Sequence, residues 1–245
     1  MELKCLKKDP LKTYIHHHLG LGDHIVCNGI VRAVAKLHGE AGGYVILAVK
    51  EENIPSVIQL YRDLTHLVKF HQVTRDEDCY EAYKKFFFLR IGFENMNLGR
   101  LLNRHEAQKG LTWERMIYNQ LSIDYKQRYE GFHIERDYER EKILEDKLDL
   151  PEEFALCCTS SSEGNFAPDI RSQFKKIFLE KKTDSIFDWI GVIEKAKEIH
   201  CIDSSMFHLI KQVQPKSTTK KIFYDQRSDD PLRAIPEEDH GWLII

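Results

Sequence analysis

A glycine-rich turn precedes the first helical pattern of the chain. The stretch HLGLGDH carries Gly20 and Gly22, followed by Asp23 and His24. Glycines let a backbone approach a ligand closely, and a carboxylate at a helix start satisfies free N–H groups and tends to stay ionised. We therefore predict that Asp23 is the N-cap of a helix over residues 23–38. As a group facing a substrate it would suit a general base, although capping alone would also explain it.

Two further loops carry hydroxyl groups where strands are predicted to end. The stretch HCIDSSMFH places Ser204 and Ser205 at the start of a helix, where free N–H groups and the positive end of the dipole favour an anion. An earlier strand opens into TSSSEGN, which contains Ser160 and Ser161. Surface loops are commonly polar, so neither loop is diagnostic by itself, but together they favour a diphosphate site.

Signatures of other chemistries are weak. The Gly-Leu-Gly turn is not a full GxGxxG, and the next strand, YVILAVK, ends in lysine rather than in an acidic residue. No GxSxG or HExxH spacing occurs. His16 and His18 nevertheless share one face of a predicted strand, and His24 or His208 could complete a metal site with them. We expect no metal, and a histidine-based hydrolase stays open as an alternative.

Alternating strand and helix patterns must position these loops. Short apolar runs that alternate with helical patterns are typical of a parallel α/β sheet. We predict strands over 13–18, 44–50, 67–73, 86–92, 154–159, 176–180, 199–203 and 222–224, and helices over 23–38, 55–64, 76–85, 185–198 and 204–213.

The pattern changes between the two sets of elements. Polar helical sequence runs from about residue 95 to 140, and the charged run ERDYEREKILEDKL is interpreted as a solvated helix face. We therefore predict two lobes, 1–125 and 126–245, with the C-terminal tail packing back on the first lobe.

Composition limits the partners. The 245 residues carry a formal net charge of −3, which disfavours nucleic acid. The six cysteines form no CxxC pair, so we interpret them as reduced. Neither a signal peptide nor a membrane-spanning run is evident, so we expect a cytoplasmic, soluble protein. A peripheral contact with a membrane is compatible with this interpretation.

Two stretches resemble one enzyme family. HLGLGDHIVCNGIVRAV is similar to the N-terminal Gly-Asp turn of glycosyltransferase family 9, the heptosyltransferase-like enzymes, and EKAKEIHCIDSSMFHLIKQV resembles their C-terminal segment. The resemblance covers some 35 to 40 residues, in the correct order, one stretch per lobe. It implies a GT-B fold, with two Rossmann-like lobes and mostly parallel sheets facing across a cleft. It also implies inverting, metal-independent transfer of a sugar from a nucleotide-sugar donor to a hydroxyl of a glycan or lipid-linked acceptor.

The resemblance also assigns roles by position. Asp23 matches the catalytic aspartate, and Gly20, Gly22 and His24 belong to the acceptor-side turn. The donor side is made of polar loop and helix residues: Ser160, Ser161, Asp203, Ser204, Ser205, Met206 and His208. Ser204-Ser205 replaces the family's Thr-Gly, and the basic residue near the diphosphate has three candidates, Arg171, Lys175 and Lys176. The nucleotide-sugar is a co-substrate, and no further cofactor is expected.

A non-catalytic module that binds a nucleotide or sugar phosphate is the second alternative. Asp23 separates it from an enzyme, because a binding module needs no carboxylate on the acceptor side.

Overall fold

The first sheet is built from the apolar runs near the N-terminus. The computed structural model describes residues 9–92, 112–226, 235–236 and 241–245. Within them, four strands pair in parallel in the order β3-β2-β1-β4. They are β1 (Asp9–His17), β2 (Tyr44–Lys50), β3 (Val68–Val73) and β4 (Phe86–Ile91). The parallel α/β organisation predicted for this part of the chain is confirmed.

Helices connect these strands: α1 (Leu21–Val26), α2 (Asn28–Glu40), α3 (Ile54–Leu60) and α4 (Tyr80–Lys85). Short 3-10 turns occur at Glu51–Asn53, Arg62–Leu64 and Asp76–Cys79.

The single helix predicted over 23–38 is wrong, because the helix is interrupted at Cys27. The first residue of α2, Asn28, accepts two hydrogen bonds: its Oδ1 accepts the backbone N–H of His133 at 3.0 Å and Nε–H of Arg32 at 3.1 Å.

Residues beyond the predicted boundary at 125 belong to the first compact unit. Two helices follow residue 112, α5 (Trp113–Gln120) and α6 (Gln127–Glu130). The backbone of α6 approaches α2 so closely that a Cβ on Gly29 would overlap the carbonyl oxygen of Gln127. The first compact unit therefore extends to Glu135, ten residues past the prediction, and the second begins at Arg136 and also takes in Trp113.

The second unit contains a second parallel sheet, in the order β11-β10-β9-β5-β8. Its strands are β5 (Phe154–Cys158), β8 (Lys175–Phe178), β9 (Glu198–Ile202), β10 (Lys220–Tyr224) and β11 (Trp242–Ile244). A small antiparallel hairpin, β6 (Ser160–Ser161) with β7 (Gly164–Asn165), follows β5. Helices α7 (Tyr138–Leu148), α8 (Ile190–Lys195) and α9 (Ser205–Val213) complete it, with a 3-10 turn at Ile186–Trp189.

The last residues add a strand to the second sheet. We predicted that the tail packs back on the first lobe, whereas β11 pairs with β10, Lys221 opposite Trp242 and Phe223 opposite Ile244. The Trp242 ring packs against Phe207 of α9, with centroids 5.4 Å apart, which anchors the strand. Residues 227–234 and 237–240 of the tail, residues 93–111 of the predicted helical segment, and Cys5 lie outside the described residues.

Among the described residues, no helix is both long and apolar enough to cross a bilayer. Within each of the two larger sheets the strands run in parallel, so the loops at their carboxyl ends lie along one edge of that sheet, where ligands of open α/β sheets bind.

Candidate active site

The Gly-Asp turn of the first unit connects β1 to α1. Gly20, not Asp23, is the N-cap, with extended backbone angles, and its carbonyl accepts the N–H groups of Asp23 at 3.1 Å and His24 at 3.3 Å. The predicted N-cap is therefore wrong: the helix begins two residues earlier, and Asp23 is the third residue of its first turn. A carboxylate in the first turn still faces the positive end of the helix dipole.

Gly20 makes room for the Asp23 side chain. A Cβ added to Gly20 would lie 2.6 Å from Oδ2 of Asp23. The carboxylate thus folds back over a position that has no side chain, and Asp23 is partly exposed to solvent. Any larger residue at position 20 would displace this carboxylate.

Beneath the turn lies a pair of buried histidines. The rings of His17 and His24 meet edge to face, with centroids 4.3 Å apart, and both residues are buried. Nδ1–H of His17 donates to the carbonyl of His18, whereas neither ring nitrogen of His24 has a hydrogen-bond partner among the described residues. Burial lowers the pKa of His17 to about 4 and that of His24 well below its ordinary value. His24 belongs to the turn, but its neutral ring faces the interior.

The opposite face of β1 carries a network that sequence reasoning missed. Nε2–H of His16 donates to Oδ1 of Asp76 at 2.7 Å, and the hydroxyl of Tyr83 donates to Nδ1 of His16. Burial lowers the pKa of His16, although Asp76 opposes this effect. Asp76 and Tyr83 lie 60 and 67 residues away along the chain, so no local pattern could have indicated them.

The histidines do not gather as the metal alternative requires. His16 is committed to Asp76 and Tyr83, and Nε2–H of His18 donates to the carbonyl of Gly92 at 2.9 Å. No three His, Cys, Asp or Glu side chains in the described part of the chain are grouped as metal ligands.

In the second unit, the predicted helix start at Ser204 is present. Ser204 is the extended N-cap of α9, and its Oγ accepts the N–H of Phe207 at 3.4 Å. Ser205 follows at the first helical position and is partly exposed, as is Asp203. Met206 and His208 are both buried. Nε2 of His208 lies 3.9 Å from Oδ1 of Asp203.

The second hydroxyl-bearing loop follows the neighbouring strand. Strands β5 and β9 pair with Cys158 opposite Cys201, so Ser160 and Ser204 each lie a few residues beyond adjacent strand ends. The hairpin was missed in the sequence, where the glycine of SSEGN is its signal: Gly164 has a φ of 136°, which favours glycine. The Oγ of Ser161 accepts the N–H of Glu163 at 3.1 Å, which holds the turn.

Three basic residues were predicted as candidates for contact with the diphosphate: Arg171, Lys175 and Lys176. Two of them contact other groups of the protein, and the third is exposed. Arg171 pairs with Asp169 at 2.8 Å between Nε and Oδ2, and Nζ–H of Lys176 donates to the carbonyl of Ile170 at 2.7 Å. Lys175 is exposed on β8. The structure therefore singles out none of them as the partner of a diphosphate.

Comparison with solved structures relates the whole chain to glycosyltransferases. A glycosyl transferase family 9 structure from Veillonella parvula matches with a TM-score of 0.55 at 11% identity, over 97% of this chain and 88% of that one. The iron-containing dodecameric glycosyltransferase TibC from enterotoxigenic E. coli matches with a TM-score of 0.52 at 11% identity, over 90% of this chain and 59% of that one. No protein-family model and no curated protein matches the sequence.

At this identity the likeness is one of fold. The chain has the α/β fold of these glycosyltransferases, with a mostly parallel sheet in each of two units, and the predicted GT-B-like fold class is confirmed.

Proposed function

We propose that the chain is an inverting glycosyltransferase that transfers a sugar from a nucleotide-sugar donor to a hydroxyl of a saccharide or glycolipid acceptor. One observation carries the donor side: Ser160 and Ser204 follow adjacent parallel strands, and Ser204 caps α9. Free N–H groups at the start of α9 and the hydroxyl of Ser205 suit a diphosphate. The fold likeness to glycosyltransferases supports the same class.

Asp23 is the proposed base. Its carboxylate would take the proton of the acceptor hydroxyl while the acceptor oxygen attacks the anomeric carbon. The bond from that carbon to the diphosphate oxygen breaks, and its electrons leave with the nucleoside diphosphate. The dipole and N–H groups of α9 would stabilise the negative charge that develops on this leaving group. Attack opposite to the leaving group inverts the anomeric centre.

We further propose that transfer needs no divalent cation and no cofactor beyond the donor, because helix N–H groups and hydroxyls meet the diphosphate. Chelation by EDTA is then expected to leave turnover unchanged, and loss of turnover with recovery on adding manganese would contradict this.

We place the reaction in the cytoplasm, which the free thiols of buried Cys27, Cys79, Cys157, Cys158 and Cys201 support.

The decisive variant is Asp23→Asn, which keeps the size of the side chain. We expect turnover, measured as transfer or as donor hydrolysis, to fall by about 100-fold or more while nucleotide affinity is unchanged. Asp78→Asn is the matched control, since Asp78 also lies in a first turn of the first unit and accepts the N–H groups of Thr74 and Arg75. This control should lower stability without lowering turnover.

Before turnover is measured, a thermal-shift assay with a panel of nucleoside diphosphates identifies which nucleotide the protein binds. Saturation at 100 times the dissociation constant stabilises a protein by about 2.7 kcal/mol. Nucleoside diphosphates should shift the transition more than nucleosides do. Binding without any transfer or hydrolysis in the unaltered protein would favour the binding-module alternative, and unchanged turnover in Asp23→Asn would remove Asp23 as the base.

A further inference from the structure

A cavity of the second unit lies apart from the proposed donor loops. It has a volume of about 400 Å³ and lies between α7 and the loop at 181–184 that follows β8. Neither Ser160 nor Ser204 lines it. Its volume falls within the range of about 300–1,000 Å³ that ligand pockets occupy.

The cavity is cationic. Four cationic and two acidic side chains line it, a net charge of plus two: Arg140, Lys147, Lys181 and Lys182, with Asp184 and Asp188. Lys182 pairs with Glu180, with Nζ and Oε2 3.1 Å apart. Lys147 and Lys181 have no hydrogen bond or ion pair within the described part of the chain. Their charges are therefore available to an anion.

The side chain of Arg140 is positioned by hydrogen bonds to buried Asp188. Its Nε–H donates to Oδ1 of Asp188 at 3.0 Å and its Nη2–H to Oδ2 at 2.8 Å. Asp188 is only 1% exposed and also accepts the hydroxyl of Thr183. This buried carboxylate fixes the plane of the guanidinium, and Nη1 has no hydrogen bond among the described residues. A positioned guanidinium loses less side-chain entropy on binding than a free one.

Two stripes of α7 that differ in charge line two different cavities. Arg140, Ile143, Leu144 and Lys147 share one stripe of α7, at the spacing of one helix face. The neighbouring stripe, with Glu145, Asp146 and Asp149, lines another cavity of about 560 Å³ in which carboxylates dominate. The charged run therefore presents an anion-attracting stripe and an anion-repelling stripe rather than one uniformly solvated face.

We infer that the cationic cavity is a binding site for a small phosphorylated ligand, with Arg140, Lys147 and Lys181 on the phosphate and Ile143 against the body of the ligand. A phosphate monoester carries a charge of about −1.5 to −2 at neutral pH, which the positive charges of Lys147 and Lys181 complement. The inference does not depend on the proposed transferase function, because no proposed donor or acceptor residue takes part.

Titration of the full chain with inorganic phosphate, followed by amide NMR, tests the site. We expect the amides of residues 181–184 to shift, and the double variant Lys147→Gln/Lys181→Gln to raise the dissociation constant by about 10-fold or more, since charge-assisted hydrogen bonds are lost. Both lysines are exposed, so the variant should fold. The control Lys142→Gln/Lys195→Gln, on the acidic cavity, should leave the constant within about two-fold.

A second arm distinguishes the source of the phosphate. Vesicles of phosphatidylcholine with and without phosphatidic acid, whose headgroup is a phosphate monoester, are added in place of inorganic phosphate. If the amides of 181–184 respond only to the anionic vesicles and the double variant abolishes that response, the ligand is a lipid headgroup and the site stands. Shifts confined to 204–208, an affinity unchanged in the double variant, or no response to either probe would overturn the inference.

Discussion

At the level of single residues, the Asp23 carboxylate, the proposed base, lies in space that is open because Gly20 has no Cβ. Asp23 Oδ2 occupies space that a Cβ on Gly20 would enter, at 2.6 Å. Gly20 has a φ of −69°, which any residue can adopt, so its backbone does not require glycine. A side chain at this position would therefore meet the carboxylate rather than strain the backbone of the turn.

The variant Gly20→Ala separates stability from catalysis. The backbone suits alanine, and such changes raise the free energy of unfolding by about 0.4–1 kcal/mol when no strain results. The displaced carboxylate should nevertheless lower turnover by up to about 100-fold, because a misplacement of about 1 Å costs that much. Chemical denaturation and a transfer or donor-hydrolysis assay measure the two effects.

A double-mutant cycle identifies the cause of the loss. If Gly20→Ala acts through Asp23, the combination with Asp23→Asn should be no slower than Asp23→Asn alone. Multiplying losses would mean that Gly20 acts on something else, such as the approach of the acceptor to the backbone.

Residue types near the strand ends identified the candidate site from sequence, but their partners could not be predicted. Asp23 and Ser204 were recognisable because each follows a strand pattern and precedes a helical one. The bonds from His16 to Asp76 and Tyr83 depend on which segments become neighbours in space. The same limit explains why His24, adjacent to Asp23 in sequence, faces the interior instead.

At the level of elements, α9 has two hydroxyls with different roles. Ser204 Oγ caps the helix, whereas Ser205, one residue on, has no hydrogen bond to its hydroxyl among the described residues. A cap contributes to folding, and an unused hydroxyl beside free N–H groups is available to a ligand.

Alanine substitutions should therefore have opposite effects. Ser204→Ala is expected to lower the free energy of unfolding by about 1 kcal/mol, the usual cost of a lost cap. Ser205→Ala should leave stability within about 0.5 kcal/mol but weaken nucleoside diphosphate binding by about 5-fold to 10-fold, the value of one hydrogen bond. Calorimetric titration and thermal unfolding measure both variants, and equal affinity in Ser205→Ala and the unaltered protein would exclude Ser205 from the donor site.

Strands were easier to predict than helix ends. Alternation of apolar runs indicated the strands, because buried parallel strands are continuous apolar segments. Next to the break at Cys27, Asn28 accepts the backbone N–H of His133, 105 residues away, a contact that no local pattern could indicate. Likewise, α7 was interpreted as solvated, yet Glu141 is buried, and Nε–H of Arg136 donates to its Oε1 at 2.8 Å.

At the level of the whole molecule, buried histidines make the stability of the fold depend on pH. His16 and His17 in the first unit and His200 in the second are buried, and desolvation lowers the pKa of each. A buried histidine with a lowered pKa favours the folded state when it is neutral. The unfolded chain takes up its proton near pH 6.5, so stability falls as the pH drops below that value.

His17 sets a defined pH window for this effect, because burial lowers its pKa to about 4. The contribution of His17 to the free energy of unfolding should be complete above pH 6.5 and be lost progressively down to pH 4, by about 3 kcal/mol.

The variant His17→Asn keeps an N–H group near the position of Nδ1 but does not titrate. Its free energy of unfolding should be lower at pH 7, because a ring is lost, and should fall less between pH 7 and pH 4 than that of the unaltered protein. Denaturant unfolding followed by circular dichroism at several pH values measures this difference. Parallel pH profiles for the two proteins would contradict a neutral, desolvated His17 beneath the Gly-Asp turn.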